Sequence, residues 1–446
     1  MTDAPVADTD VVVLGGGLAG VACALRLGDE GVRVSLVDRN DYHQFQPLLY
    51  QVATSQLPAE DVARPHRSIF RAHPTVELRS GEATRVDPPT RSVLLAGGDV
   101  VRGTHLVIAA GGRAEFFGVP GAAEHAYPLY SVEDAERLRL HLQDLLAPDG
   151  AGQRPEDALD VVVVGGGPTG VEVAGALAEL ADALVQLGEL PRRGRIVLVD
   201  RGATLLGAFS EKSHAYALHR LTKQGAEVRL GTGVAAVHPD RVELDDGSVL
   251  PTRTVVWGGG ESAAGVVAGV DLPSGRGGRV DVGPDLAVVG HPQVYAVGDV
   301  ANIPAAVDPG VLPQLGSVAQ QSGRWAAENI LRDRAGQPTR PFHYKDKGIM
   351  AMIGRNAAVA EVGRHRHQVD GPVAFAAWLG VHAMLLSGSH SRTDAFLSWA
   401  WDYFDRDHAA VVESSTTPRR IAWGDDEADL PTIAVGRTPA APAGSA

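Results

Sequence analysis

The sequence predicts an α/β chain in which two Rossmann-like dinucleotide-binding domains are nested, the second inserted in a split first, with a C-terminal helical region behind them. Three observations carry this reading. The pattern Gly-x-Gly-x-x-Gly occurs twice, at Gly15, Gly17 and Gly20 and again at Gly165, Gly167 and Gly170, each time between an apolar run and a helical stretch. Each copy leads to a second apolar run ending in an acid, Asp38 and Asp200. A further strand and turn, "HPQVYAVGDVANI" (291–303), belongs with the first copy yet lies far beyond the second, so one domain is interrupted by the other.

The elements follow in order. "DVVVLGGGLAG" (10–20) reads as a buried strand running into a glycine turn and a helix over 18–28, and "RVSLVD" (33–38) as the next strand. Glycines at such a turn let a pyrophosphate approach the backbone, while the helix N-terminus supplies N–H donors and a partial positive charge. The second copy repeats each part: a strand over 160–164, a helix through about 187 and the strand "RIVLVD" (195–200). Two such units imply two dinucleotides, and on one chain the pairing to expect is FAD with NADH. Asp38 and Asp200 stand where an acid accepts from adenosine ribose hydroxyls, and Arg201 beside Asp200 leaves room for a 2′-phosphate. Asp299, in the downstream turn, is expected to reach the flavin side chain. "THLVIAAGG" (104–112) and "TRTVVWGGG" (252–260) look like strands that leave their own domains through glycines and mark the two crossings. The expected division is an FAD domain over 8–120 and 281–345, an NADH domain over 121–280, an acceptor-facing and membrane-facing region over 346–405 and a tail over 406–446.

Composition bounds the function. At 446 residues, 44% apolar and 21% charged, the chain has ample core for two or three domains. A net charge of −14 argues against nucleic acid as a partner and against electrostatic adhesion to anionic lipid, so any membrane contact would be hydrophobic. The single cysteine, Cys23, excludes a disulfide within the chain and with it a dithiol electron relay. The first ten residues are polar, and no uninterrupted apolar run approaches the length of a bilayer span, so a cytoplasmic location is expected.

One residue breaks the symmetry of the two copies. Two positions past the last glycine, "GGGPTGVEVAG" (165–175) carries Glu172, whereas the first copy carries Ala22. A carboxylate one turn into a helix is favoured by the dipole and, close to a flavin, can pass or accept a proton; a simple helix-start acid is the alternative reading.

These motifs, together with "FQPLLYQVAT" (45–54), "SVAQQSGRWAAENI" (317–330), "FHYKDKGIMAMIGR" (342–355) and the Trp-rich stretch 378–404, resemble the two-dinucleotide-binding flavoproteins and, among them, the type II NADH:quinone oxidoreductases. The resemblance covers about residues 8–405. It implies a single-chain enzyme in which hydride passes from NADH to FAD and two electrons pass on to a quinone, without proton pumping. It implies that Glu172 points toward the flavin and couples proton uptake to electron transfer, that Pro47, Leu48 and Leu49 lie beside the flavin ring, and that Lys347 lies close to the flavin and the acceptor. The acceptor side of the family carries two glutamines four apart on a helix. Here the second falls at Gln321 and the first at Ser317, with Gln320 and Gln314 nearby.

The apolar stretch 373–386 is too short to span a bilayer and reads as a buried helix capping the flavin domain. The aromatic stretch 395–404 suits a water–lipid boundary, so weak peripheral membrane contact is expected, with a homodimer left open. His365 and His367 have no acid or cysteine ligand near them in sequence, and no metal is expected. Two other outlets fit the same residues: an NAD(P)H-dependent reductase of a soluble carrier such as a ferredoxin or rubredoxin, and a redox-sensing flavoprotein with little turnover.

Overall fold

The computed structural model describes residues 6–147, 157–305, 310–363 and 366–385. His365, the aromatic stretch 395–404 and the tail over 406–446 lie outside the described residues.

The first glycine unit opens with β1 (Val6–Leu14), α1 (Leu18–Asp29), β2 (Val34–Asp38) and β3 (Val76–Ser80). An antiparallel pair, β4 (Ala83–Asp87) and β5 (Ser92–Leu95), leads to the long β6 (Val100–Ile108). A short β7 (Gly112–Ala114) then carries the chain out. The second unit comprises β8 (Ala126–Pro128), α2 (Val132–Leu146), β9 (Val161–Val164), α3 (Pro168–Gln186), β10 (Ile196–Asp200), α4 (Glu211–Lys223) and β11 (Glu227–Leu230). After an antiparallel meander over 234–251, it closes with β12 (Thr254–Trp257). The chain returns through β13 (Glu261–Ala263), β14 (Ala287–Val288), β15 (His291–Ala296) and α5 (Gly316–Arg334). It continues into β16 (Ile349–Gly354), β17 (Ala357–Val362), β18 (His367–Asp370) and α6 (Gly371–Leu385).

Strand pairing shows the nesting. The first sheet runs β14-β15-β6-β1-β2-β3, with β5 and β4 branching from β6, and β15 joins parallel to β6 although the whole second unit separates them in sequence. The second sheet runs β8-β12-β9-β10-β11, all parallel. Its strands are covered on both faces, which is why they read as unbroken apolar runs such as Val161–Val164, all buried, rather than as alternation. The two crossings meet: β7 and β13 pair antiparallel, Gly112 opposite Ala263 and Ala114 opposite Glu261.

Trp257 lies in the core of the second unit, whereas Ala263, Val267 and Val280 lie in the core of the first. The C-terminal region differs from the expected helices. Residues 349–370 form a three-stranded antiparallel sheet, β16-β17-β18, and only then does α6 begin.

Candidate functional site

The two glycine turns have one geometry, and each of their glycines answers a different need. The first, Gly15 or Gly165, sits at φ +105° or +111°, where a side chain is strained and a β-carbon would strike the carbonyl of Ala109 or Gly258. The third, Gly20 or Gly170, packs so closely that a β-carbon would come within 1.8 Å of the Gly15 or Gly165 oxygen. The second, Gly17 or Gly167, is different: a β-carbon there would meet nothing within 4 Å. Among the described residues none fills that position, which leaves space for a ligand at the start of a helix whose N–H groups point outward. Both turns therefore fit a pyrophosphate.

The acids repeat as closely. Asp38 accepts from the Gly16 N–H at 2.5 Å and the Asn40 N–H at 2.7 Å. Asp200 accepts from the Gly166 N–H at 2.6 Å and the Gly202 N–H at 2.5 Å. Each carboxylate thus pins its glycine turn to the end of the neighbouring strand and keeps its remaining lone pairs at the mouth of the turn, where ribose hydroxyls would donate. In the first unit, two buried histidines, His43 and His66, also bond the Gly16 carbonyl at 2.9 and 3.2 Å.

Above the second turn lies a cleft of about 300 Å³ lined by Phe117, Gly165, Asp200, Arg201, Thr232 and Trp257, among others. The Trp257 indole donates to the Glu115 carbonyl at 2.9 Å, and the Phe116 ring packs on it. That leaves Phe117 at φ +52°, 60% exposed and lying over Gly260. A non-glycine residue held in the left-handed region costs of order 1–3 kcal/mol and tends to mark a functional segment. The sequence reading missed Phe117. Its only sequence signal is the run "EFFGVPG" directly after the crossing strand, where an exposed aromatic flanked by Gly118 has no core to fill.

Glu172 stands one turn into α3 and points to the interior. Its Oε1 accepts from the Met352 N–H at 3.1 Å, and the Trp378 side chain also hydrogen-bonds to it. Burial pushes its pKa up to about 8 against these two donors. Two turns on, burial likewise raises Glu179, which accepts from the Arg355 N–H and from Gln224. Between the two acids Gly175 touches the Ile353 carbonyl, closely enough that a β-carbon would come within 1.8 Å. One face of α3 thus covers the open edge of β16, with two glutamates satisfying strand N–H groups and a glycine admitting the backbone. On α1 the first turn instead packs against α5, where a β-carbon at Gly323 would come within 2.0 Å of the Ala19 carbonyl.

"FQPLLYQ" packs against α3. Leu48 and Leu49 are fully buried and Pro47 half-buried. Tyr50 lies edge-on to Trp378 at 6.5 Å and accepts from Gln51 at 3.0 Å. Trp378 in turn stacks on His382 at 3.9 Å, and His382 lies edge-on to Phe45. Gln44 and Gln46 donate to the Tyr130 carbonyl, while the Tyr130 hydroxyl donates to the Gly260 carbonyl at 2.5 Å. Tyr130 thereby fastens the first unit to the return crossing of the second.

Asp299 is half-buried beside Glu261 and Arg279. Burial raises both carboxyls, and the Arg279 guanidinium pulls them the other way. Glu261 was not singled out in the sequence, since nothing in "GGGES" separates it from a loop acid. On α5, Ser317 bonds the Tyr344 hydroxyl at 2.8 Å, and the Gln321 amide clasps the backbone of Lys345 on both sides, at 3.0 and 3.1 Å. Gln314 donates to the Asp299 carbonyl at 3.2 Å. Gln320 is half-buried and makes no hydrogen bond among the described residues, and Lys347 is exposed. Among the described residues no group of side chains is arranged to hold a metal ion, and no helix is long and apolar enough to cross a membrane.

Comparison with known proteins agrees with this geometry. Residues 9–323 match the pyridine nucleotide-disulphide oxidoreductase family. The chain is 33% identical over 415 residues to the type II NADH:quinone oxidoreductase Ndh of Mycobacterium tuberculosis, covering 87% of each protein. It is 28% identical over 365 residues to the type II NADH:quinone oxidoreductase of Staphylococcus saprophyticus, covering 79% of this chain and 89% of that one. Among solved structures it is similar in fold to NDH2 from Plasmodium falciparum in complex with NADH, with a TM-score of 0.80 at 18% identity, over 90% of this chain and 99% of that one.

Proposed function

The chain belongs to the pyridine nucleotide-disulphide oxidoreductase family and, within it, to the type II NADH:quinone oxidoreductases, and from that premise we propose how its residues divide the work. The reaction is NADH + H⁺ + quinone → NAD⁺ + quinol, without proton pumping. FAD, when bound, supplies the chemistry that joins its halves: it accepts hydride from NADH and releases two electrons to the quinone. The family name includes a disulphide, but Cys23 is the only cysteine, buried and with its thiol pushed up to about 12, so electrons do not leave through a thiol relay.

The observation that carries the assignment is the pair of open glycines, Gly17 and Gly167, in two complete cradles on one chain. Gly15, Gly17, Gly20, Asp38 and Asp299 hold FAD, with 8–120 and the return from about 261 to 345 as its domain. Gly165, Gly167, Gly170 and Asp200 hold NADH, with 121 to about 260 as its domain. Pro47 and the backbone around Leu48 and Leu49 border the flavin ring. Glu172 holds a proton on its carboxyl at the junction of the two units and delivers it as the quinone is reduced. Lys347 and Gln320 face the acceptor, and Ser317 and Gln321 position them by clasping 344–345 onto α5.

The outer face of α6 carries Val373, 69% exposed, with Ala376 and Ala377, and its only polar side chain, His382, is buried. This face makes the hydrophobic contact with the cytoplasmic surface of the membrane. Every residue given a role belongs to one chain, so the assignment holds for a monomer and a homodimer alike.

The two cradles are told apart by substitution. Gly17→Ala is expected to fold but to purify with most of its flavin lost. Gly167→Ala is expected to stay yellow while its KM for NADH rises at least about tenfold, or about 1.4 kcal/mol. If both variants kept flavin and NADH affinity unchanged, the cradles would not be dinucleotide sites.

A further inference from the structure

We propose that Arg201 reads the adenosine 2′ position at the second cradle and that the chain oxidises NADPH as well as NADH, an inference that rests on the Gly165–Asp200 unit being the nicotinamide site. Arg201 directly follows the acid of β10 and lines the cleft. It is exposed and has no hydrogen bond or ion pair among the described residues. Other arginines of the same unit are paired: Arg192 with Asp160, Arg195 and Arg229 with Glu227, Arg241 with Glu243 and Arg253 with Asp157. In a chain of net charge −14, a guanidinium left unpaired at the mouth of a nucleotide cleft is available to an anion.

The surroundings hold it there. Asp200 cannot turn to neutralise its neighbour, because both its oxygens are bound by the Gly166 and Gly202 N–H groups. The stem of Arg201 lies across Gly233 so closely that a β-carbon there would come within 2.2 Å of Nε. Asp245 Oδ2 approaches the same point, at 2.8 Å from that β-carbon position, yet forms no ion pair with Arg201. Among the described residues, this end of the cleft thus holds Arg201 as an unpaired cation beside two acids, Asp200 and Asp245. A 2′-phosphate would take a forked pair of hydrogen bonds from Arg201, and a 2′-hydroxyl would donate to Asp200. Repulsion by Asp200 and Asp245 makes NADH the better substrate without excluding NADPH.

The test uses the purified FAD-loaded protein with a short-chain quinone. Wild type is expected to oxidise both nucleotides, with NADH preferred, and to be inhibited by adenosine 2′,5′-bisphosphate as well as by 5′-AMP, by 5′-AMP the more strongly. Arg201→Ala is expected to lower the NADPH:NADH ratio of kcat/KM at least about tenfold, or about 1.4 kcal/mol, and to weaken inhibition by the bisphosphate by a similar factor while inhibition by 5′-AMP changes little. Arg201→Lys should restore part of both. Gly233→Val, which displaces the arginine without removing its charge, should mimic Arg201→Ala. Retained flavin absorbance shows that each variant has folded. If wild type oxidised NADH alone, or if Arg201→Ala weakened both nucleotides and both inhibitors equally, the inference would be wrong while the nicotinamide site stood. If neither nucleotide bleached the flavin, the underlying reading would fail as well.

Discussion

Glu172 illustrates what one side chain does at a junction. Its pKa is raised from the ordinary 4.5 to about 8 by burial, so the fold prefers its protonated form. The stability this contributes is complete below about 4.5 and is lost as pH rises through about 8. The same sign governs turnover. Below about 8 the carboxyl holds a proton to deliver, and above it the proton is gone, so kcat with quinone is expected to fall on the alkaline side. Glu172→Gln keeps the hydrogen bond from Met352 but carries no transferable proton. It should flatten that limb and lower kcat by about 10²-fold or more, the usual scale of acid–base assistance, while the rate of flavin reduction by NADH changes far less. An unchanged alkaline limb in the variant would assign the ionisation to another group. The odd carboxylate was legible in the sequence by comparing the two glycine copies. Its burial was not, because that depends on β16 and α6, which lie 180 and 206 residues further on at Met352 and Trp378.

Among the elements, the two cradles were readable in full because their parts are local: strand, glycines, helix and acid follow one another at fixed spacing. The sheet β16-β17-β18 was not. "IMAMIG" and "AAVAEV" are short and largely apolar, without alternation, and what makes them strands is the cover that α3 and α6 give them. Ser317 and Gln321 show the limit from the other side. Spacing on one helix placed them together, but spacing could not foresee that 344–345 would cross α5 and occupy both. The expectation of a buried helix over 373–386 is met on one face only. Ala374, Trp378 and His382, spaced by four, turn inward, while Val373 stays out. The two faces should therefore respond differently. Trp378→Ala removes a fully buried indole and is expected to cost about 3–5 kcal/mol of stability. Val373→Glu is expected to leave the melting temperature nearly unchanged and to reduce co-sedimentation with lipid vesicles. Equal vesicle binding by wild type and Val373→Glu would remove α6 as the membrane contact.

For the whole molecule, the important feature is that the second unit, with its own cradle, is held to the first by two paired crossings and fastened by Tyr130. The nesting was legible from the order of motifs alone, since the Asp299 turn had to return to the first sheet. The return was read at the glycines of 252–260, and packing places Ala263 and Val267, just beyond them in "ESAAGVV", in the first core. Two cradles on one chain imply a reaction in two separable halves with a coloured intermediary. The most direct measurement is anaerobic stopped-flow on the FAD-loaded chain, mixing first with NADH and then with a menaquinone or ubiquinone analogue. The account requires rapid loss of flavin colour in the first mix and its full return in the second, at rates that sustain turnover. A chain that stays colourless when refolded with FAD, or a flavin that NADH bleaches but no quinone restores, would contradict it.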